Sequence, residues 1–272
     1  MPNLFDFSVV YKDFWGILRY LPVTLKLAAG AMLLGLTLGF FIAVVRMKNI
    51  PVLKHLIAFY ISIIRGTPIL VQLYVSYFGI PIFIKYLNYW NGTDFKIASI
   101  PPFVYALVAL SFNQSALHAV TIQAALQAVN KGEIEAAAAL GMTGAQRMFR
   151  IIIPEAVELA IPSLGNTLIG LVKGTSLAFS CGIIEMTAQG KIIAGADYRY
   201  FEAYVALAII YWAITILIER IIHIILEVVR VPDSPKGMEK KKFSIKGLFV
   251  QKDDGVKGDS ADASVTVERT GV

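Results

Sequence analysis

Five long apolar runs separated by shorter polar intervals make up most of this chain, and their lengths suit membrane-crossing helices rather than strands. The first, residues 20–45, is apolar apart from Thr24, Lys26 and Thr37 and exceeds the roughly 20 residues needed to cross hydrocarbon. Within it Ala31, Gly35 and Gly39 recur at every fourth position, predicting a smooth face that lets a neighbouring helix approach closely. Residues 52–64 either lie in the interface or begin the second span. Pro68 disfavours helical geometry at Thr67 and removes a donor, predicting a kink or helix start there, with the span ending near residues 79–81. Residues 82–100, with Lys85, Asp94, Lys96, Trp90 and several tyrosines, read as an outer loop. The third span covers 102–128, and Ser111, Gln114, His118 and Thr121 form a polar stripe along it. Such a stripe either lines a water-filled path or holds helices together by hydrogen bonds.

The fourth span starts after Pro154, with Glu155 at its positive end and a kink expected at Pro162. Beyond it Asn166, Gly170, Lys173, Ser176 and Ser180 share one face, and Lys173 falls near the middle of the apolar stretch 163–184. A lysine at that depth costs roughly 2.5–3.5 kcal/mol on insertion scales, so it either meets a substrate carboxylate or pairs and snorkels within the protein. Glu185, Lys191, Asp197, Arg199 and Glu202 read as a mixed-charge outer loop, and the fifth span covers 203–222. Residues 1–19 mix Asp6, Lys12, Asp13 and Arg19 with aromatics, predicting an interfacial segment rather than a cleaved signal peptide. Residues 229–272, with Pro232, Pro235 and the lysines at 240–242, read as a disordered cytoplasmic tail whose basic part either touches anionic lipid or is simply solvated.

One polar helical island interrupts this pattern: residues 133–154, EIEAAAALGMTGAQRMFRIIIP. Asn130 stands three residues before Glu133 and Thr143 three before Gln146, each placing an N-cap oxygen opposite a returning side chain. Gly141 is placed to end the first helix, and Pro154 cannot lie inside the second, so the expected shape is helix, Gly turn, helix, then a new span. On capping alone this is a well-made interhelical loop or a docking handle. Arg46, Lys48, Lys54 and Arg65 mark the first loop as cytoplasmic under the positive-inside rule, which with five spans puts the N-terminus outside, the C-terminus inside and the island in the cytoplasm.

Composition agrees: the 272 residues are 57% hydrophobic and 16% charged, with a mean hydropathy of +0.66, the profile of a membrane protein. The net charge of +6 lies in short loops and the tail, which gives no sign of nucleic-acid binding. Cys181 stands alone, His55, His118 and His223 show no ligand spacing, and no P-loop occurs, so no metal site is expected and any ATP chemistry comes from a partner. No catalytic residue is assigned, because clustered His, Cys or paired carboxylates are missing from the spans.

Three motifs carry a family resemblance. Glu135-Ala136-Ala137, three residues, Gly141, nine residues, Ile151 and then Ile153-Pro154 resembles the EAA loop of ABC importer permeases, with Ile153 in place of the usual Leu. Arg65-Gly66-Thr67-Pro68-Ile69-Leu70-Val71-Gln72 is similar to the RGTPLLVQ signature of the polar amino-acid permeases, and Lys173-Gly174-Thr175-Ser176-Leu177 to their K-x-TSL element. The resemblance covers residues 20–228 and implies an all-α membrane protein with the five-transmembrane-helix type I ABC importer permease fold and cytoplasmic EAA coupling helices.

It further implies a bacterial cell-membrane permease subunit of an ATP-driven importer of polar amino acids, cystine being the first guess. The implied partners are an ABC ATPase dimer that carries ATP and Mg, an extracytoplasmic substrate-binding protein docking on the outer loops, and a second permease subunit, itself or a paralogue. Glu135, Ala136, Ala137, Leu140, Gly141 and Pro154 are then the ATPase-coupling residues, with Glu135, Ala137 and Leu140 packing in the ATPase groove. Gln114, His118, Thr121, Lys173, Thr175 and Ser176 form the substrate path, and Arg65, Gly66, Thr67 and Pro68 a structural motif. Relatives carry an acidic and a basic residue where this chain has Val120 and Gln123. The alternatives are a permease of another ABC importer class, for methionine or another small solute, or an uncoupled channel.

Overall fold

The computed structural model describes residues 5–48 and 50–230, so the expected tail lies outside the described residues from 231 onward. Among the described residues ten α-helices follow one another: α1 Phe7–Leu18, α2 Leu21–Met47, α3 Pro51–Gly66, α4 Ile69–Asn91, α5 Pro102–Ala128, α6 Lys131–Ala139, α7 Gly144–Arg147, α8 Ile153–Gly174, α9 Met186–Asp197 and α10 Tyr200–Val229. Among them α2, α4, α5 and α10 are each long and apolar enough to cross a membrane. The helical run Gly144–Cys181 with Met186–Asp197, bent by 56°, makes the fifth.

The third span, α5, is the post around which α2, α3, α4 and α8 are arranged. The glycine stripe of α2 lies directly on it. A β-carbon at Gly39 would come within 2.8 Å of the His118 Cβ and 2.9 Å of the Ser115 carbonyl, and one at Gly35 would collide with the Gln114 Cβ. Around this contact Leu27, Ala28 and Ala31 cluster with Ala106, Ala109 and Leu110, the alanines among them letting the two backbones approach closely. The stripe residues Ser111, Gln114 and His118 are therefore buried between helices, His118 completely.

Several boundaries differ from the sequence expectation. α4 does not end near residue 81: Pro81 lies inside the helix, which continues to a left-handed Gly92 stop. Residues 82–91, expected as loop, are thus the last turns of α4. The expected mixed-charge loop after residue 184 is mostly α9, because the Glu185 side chain accepts from the Thr187 and Ala188 amides and caps that helix, itself fully buried. The stretch 163–184 is not one span centred on Lys173. α8 stops at Gly174, a 3-10 turn covers Thr175–Cys181, and Gly182 at φ 81° turns the chain. The fifth span runs longer at both ends than expected, as α10.

Residues 7–18 form α1, capped by Asp6, whose side chain accepts from the Ser8 amide. α1 docks on α9 and α10 through Val10 and Ile17 against Met186, Ala206, Leu207 and Ile210. Asp13 is buried in this corner, where burial and the nearby Asp197 carboxylate push its carboxyl above the ordinary carboxylate range, with Lys12 opposing and Glu202 adding to the rise.

Two outcomes follow. Gly39→Ala drives a methyl into backbone and should lower stability in detergent by about 1–3 kcal/mol, whereas Gly30→Ala meets only the end of the Leu107 side chain and should cost clearly less; thermal unfolding of the two variants compares them. The folded chain holds the Asp13 proton more tightly than the unfolded chain does, so wild-type stability falls as pH rises from about 4 toward neutral. Asp13→Asn should gain on wild type over that interval, as read by melting midpoints across pH.

Candidate functional site

The segment joining α5 to α8 is built as its caps dictate at one end and not at the other. At α6 the Asn130 side chain accepts from the Gly132 amide at 3.0 Å. The expected return bond from Glu133 is not formed; instead the Asn130 amide donates to Glu155 Oε1 at 3.4 Å, tying the start of α6 to the first turn of α8. α6 ends where the Gly141 amide donates to the Ala138 carbonyl and the Met142 amide to the Ala137 carbonyl, at 3.0 and 3.1 Å. That pair of bonds needs a left-handed residue, and Gly141 supplies φ 80°. A β-carbon there would touch nothing within 4 Å, so glycine is required by the backbone turn and not by crowding. Thr143 and Gln146 form both halves of a capping box, at 3.3 and 2.8 Å.

Beyond α7 the expectation of a break before Pro154 fails. The chain passes through a π-helical turn over Met148–Ile152 directly into α8, with Ile152 and Ile153 both in right-handed helical geometry. The Ile153 amide reaches back five residues to the Met148 carbonyl. This wider ladder accommodates a proline at the start of α8 where an α-ladder would lose a bond and meet the ring. One helical run therefore extends from the Thr143 cap to Cys181.

The faces of α6 are now fixed. Ala137 is buried against its own chain, and Ile134 packs on the cluster of Ala125, Val129, Ala156 and Ala160. Ala137, expected to pack in a partner groove, is thus on the buried side of α6, whose Ile134 docks on the α5–α8 corner. Glu135, Ala136, Leu140 and Gly141 are exposed. Leu140 is 84% and Phe149 71% exposed, an apolar pair flanking the Gly141 turn.

A cavity of about 410 Å³ opens between the start of α4, α5 and α8, within the range of small-molecule sites. Its polar wall comprises Asn113 and Gln114 from α5 and Ser163, Asn166 and Thr167 from α8, with Gly170 leaving room. Gln114 Oε1 is buried without a partner among the described residues. Of the path residues expected from sequence, only Gln114 lines this cavity. Thr121 lies beside it, its hydroxyl 3.5 Å from that of Ser163. His118 is sealed against α2 with both ring nitrogens unpartnered among the described residues. Lys173, Thr175 and Ser176 lie at and beyond the last turn of α8, with Lys173 exposed and Thr175 buried.

The Arg65–Pro68 motif is the joint between α3 and α4. Thr67 is extended (ψ 139°) and Pro68 opens α4. Gln72, quoted within the motif but given no role from sequence, holds the joint. Its Nε2 donates to the carbonyls of Ile64 and Thr67 at 2.7 and 3.1 Å and to the Thr67 hydroxyl at 2.8 Å. Its Oε1 accepts from Asn113 Nδ2 at 3.0 Å, joining the break to the cavity wall. An amide one turn after a helix-breaking proline was the available signal for this clamp, as orphaned carbonyls need a donor.

Residues 35–231 match the family described as "Binding-protein-dependent transport system inner membrane component". The chain is 40% identical over 215 residues to the "Probable amino-acid permease protein YxeN" of Bacillus subtilis (strain 168), covering 79% of this chain and 92% of that protein. It is 37% identical over 219 residues to the "L-cystine transport system permease protein TcyL" of the same organism, covering 80% and 89%. A solved structure titled "Crystal structure of an amino acid ABC transporter with histidines" superposes with a TM-score of 0.69 at 36% identity, covering 82% of this chain and 99% of that one.

Replacing Gln72 by Leu should leave the helix-end carbonyls and Asn113 without their partner and cost about 1–3 kcal/mol, whereas Gln72→Glu keeps only the acceptor and should also lose stability. Melting midpoints of the purified protein check both.

Proposed function

This chain belongs to the family of binding-protein-dependent transport system inner membrane components, and from that premise we propose how its parts divide the work. It is the multi-pass membrane permease subunit of an ABC amino-acid importer, and ATP is hydrolysed by a separate ATPase subunit. The substrate reading is a polar amino acid, with cystine the first candidate because TcyL, a relative 37% identical to this chain, is named for L-cystine. The partners are an ATPase dimer carrying ATP and Mg, an extracytoplasmic binding protein and a second permease copy or paralogue. The N-terminus lies outside and the C-terminus inside, which the basic residues Arg46, in the last turn of the first span, and Lys48 and Lys54 after it support.

The carrying observation is the single helical run from the Thr143 cap through the π turn to α8, whose Ser163, Asn166, Thr167 and Gly170 wall the cavity. Leu140, exposed beside Gly141, is the apolar anchor offered to the ATPase, with Glu135 and Ala136 on the accessible part of α6. Movement imposed at that end is carried along the run to the cavity wall rather than absorbed in a loop. In the cavity, Asn113, Asn166 and the free Gln114 acceptor suit the hydrogen-bonding groups of an amino acid in transit. Lys173, exposed in the last turn of α8 and outside the cavity lining, offers its cation to a substrate carboxylate in this reading.

Two experiments test this. In membranes holding the assembled transporter, Gly141→Asp should abolish uptake and free ATP hydrolysis from its dependence on substrate while leaving permease abundance unchanged; full uptake by that variant would sink the coupling reading. Competition of labelled cystine uptake by unlabelled glutamine and arginine ranks the substrates, and no saturable uptake of any amino acid would contradict the substrate class. Asn166→Ala should raise the KM for uptake roughly tenfold, the scale of one lost polar contact to a charged group, with a smaller effect on maximal rate.

A further inference from the structure

A second cleft, of about 370 Å³, lies between the end of α2 and α3 and is lined by Arg46, Ala58, Ile61, Ser62, Arg65 and Gly66. It sits on the other side of α5 from the cavity described above. α3 packs on Ala116 and Ala119 through Ile61, whereas the cavity uses Leu110, Asn113, Gln114 and Leu117. At 3.6 residues per turn these two sets fall on roughly opposed faces of α5. The cleft is therefore off the route that α4, α5 and α8 enclose.

Its two cations come from helices that run in opposite directions. α2 is parallel to α5, since Gly35 meets Gln114 and Gly39 meets His118. α3 is antiparallel to it, with Ile57 and Ile61 against Val120, Ala119 and Ala116. Side chains lean toward the N-terminus of their own helix, so Arg46 leans away from the α2–α3 link and Arg65 toward it, and the two guanidinium groups converge on one cleft. Neither is ion-paired among the described residues, whose ion pairs all involve Lys12 or Arg199. Two unpaired guanidinium groups lining one cleft call for an anionic partner. On the face of α3 turned away from the cleft, Val52, Leu56, Phe59 and Ile63 form an exposed apolar stripe that suits hydrocarbon, and Lys48 and Lys54 add positive charge near the α2–α3 link.

We propose that this cleft binds the phosphate of an anionic membrane phospholipid, both guanidinium groups taking phosphate oxygens in charge-assisted hydrogen bonds. The site needs α3 to lie in a membrane and does not depend on which amino acid is carried.

The test uses the intact transporter, permease with its ATPase, purified in detergent and examined by native mass spectrometry after addition of phosphatidylglycerol or phosphatidylethanolamine. Wild type should retain phosphatidylglycerol in preference to phosphatidylethanolamine. R46Q/R65Q should retain roughly 25-fold less, since each cation in contact with the phosphate contributes roughly a fivefold factor, while K48Q/K54Q, whose lysines do not line the cleft, keeps most of it. Should R46Q/R65Q fail to assemble, R65K, which keeps the charge but loses the bidentate fork, gives the reading through an intermediate retention. Equal retention by wild type and either arginine variant overturns the proposal. So does inorganic phosphate that binds in an Arg46- and Arg65-dependent way while the lipid adducts are unchanged, because the site would then serve a free anion.

Discussion

At Gly39 there is no room for even one methyl group, because the backbone of α5 passes where that methyl would sit. This closeness of α2 to α5 governs much of the remaining architecture. It buries Ser111, Gln114 and His118 on one side of α5 and leaves the other sides for α3, α4 and α8. Lipid tails are as apolar as leucine, so burial of oily surface cannot by itself hold such helices together. Small residues that permit extended van der Waals contact do that work, and the Ala- and Gly-rich α2–α5 seam is where they concentrate.

The same seam separates two sides of the subunit. On one side the cavity between α4, α5 and α8 gathers amide and hydroxyl groups, one of them a buried acceptor with no partner among the described residues. On the other the arginine cleft faces away from it. The Gln72 clamp lies between the two. By satisfying the carbonyls that Pro68 and the extended Thr67 leave open, it lets a broken helix line the cavity without exposing bare backbone to hydrocarbon.

What could be read from sequence were the features set by local chemistry. The bounds of α5 were legible because Pro102 starts it and the apolar period stops at Ala128. The Gly141 turn and the Thr143 box were legible because a left-handed stop and a reciprocal cap have few sequence solutions. What escaped depends on tertiary surroundings. Pro81 and Pro154 were read as ends, but the first is carried inside α4 and the second is absorbed by a π turn. Glu185 and Glu202 were read as loop charges, yet both are buried, one capping α9 and the other paired with Arg199 at 3.2 Å. Ala137 was read as facing a partner, and only the docking of α6 on the α5–α8 corner reveals that it is buried within its own chain. In the site, Gln114 was found from its stripe, while Asn113, Ser163 and Thr167 carry no pattern that separates them from ordinary polar residues of a span.

The central claim is mechanical: the segment after Gly141 and the cavity wall of α8 move as one body. Pulsed electron paramagnetic resonance on the assembled transporter tests it, with spin labels at Ala145 and Leu159 in a Cys181→Ser background. The account predicts that the distance between these labels within one subunit stays constant between nucleotide-free and ATP-trapped states, while the distance between the Ala145 labels of the two permease subunits changes. A change within the subunit as large as the change between subunits would contradict it, placing a hinge at the π turn instead of a rigid connection.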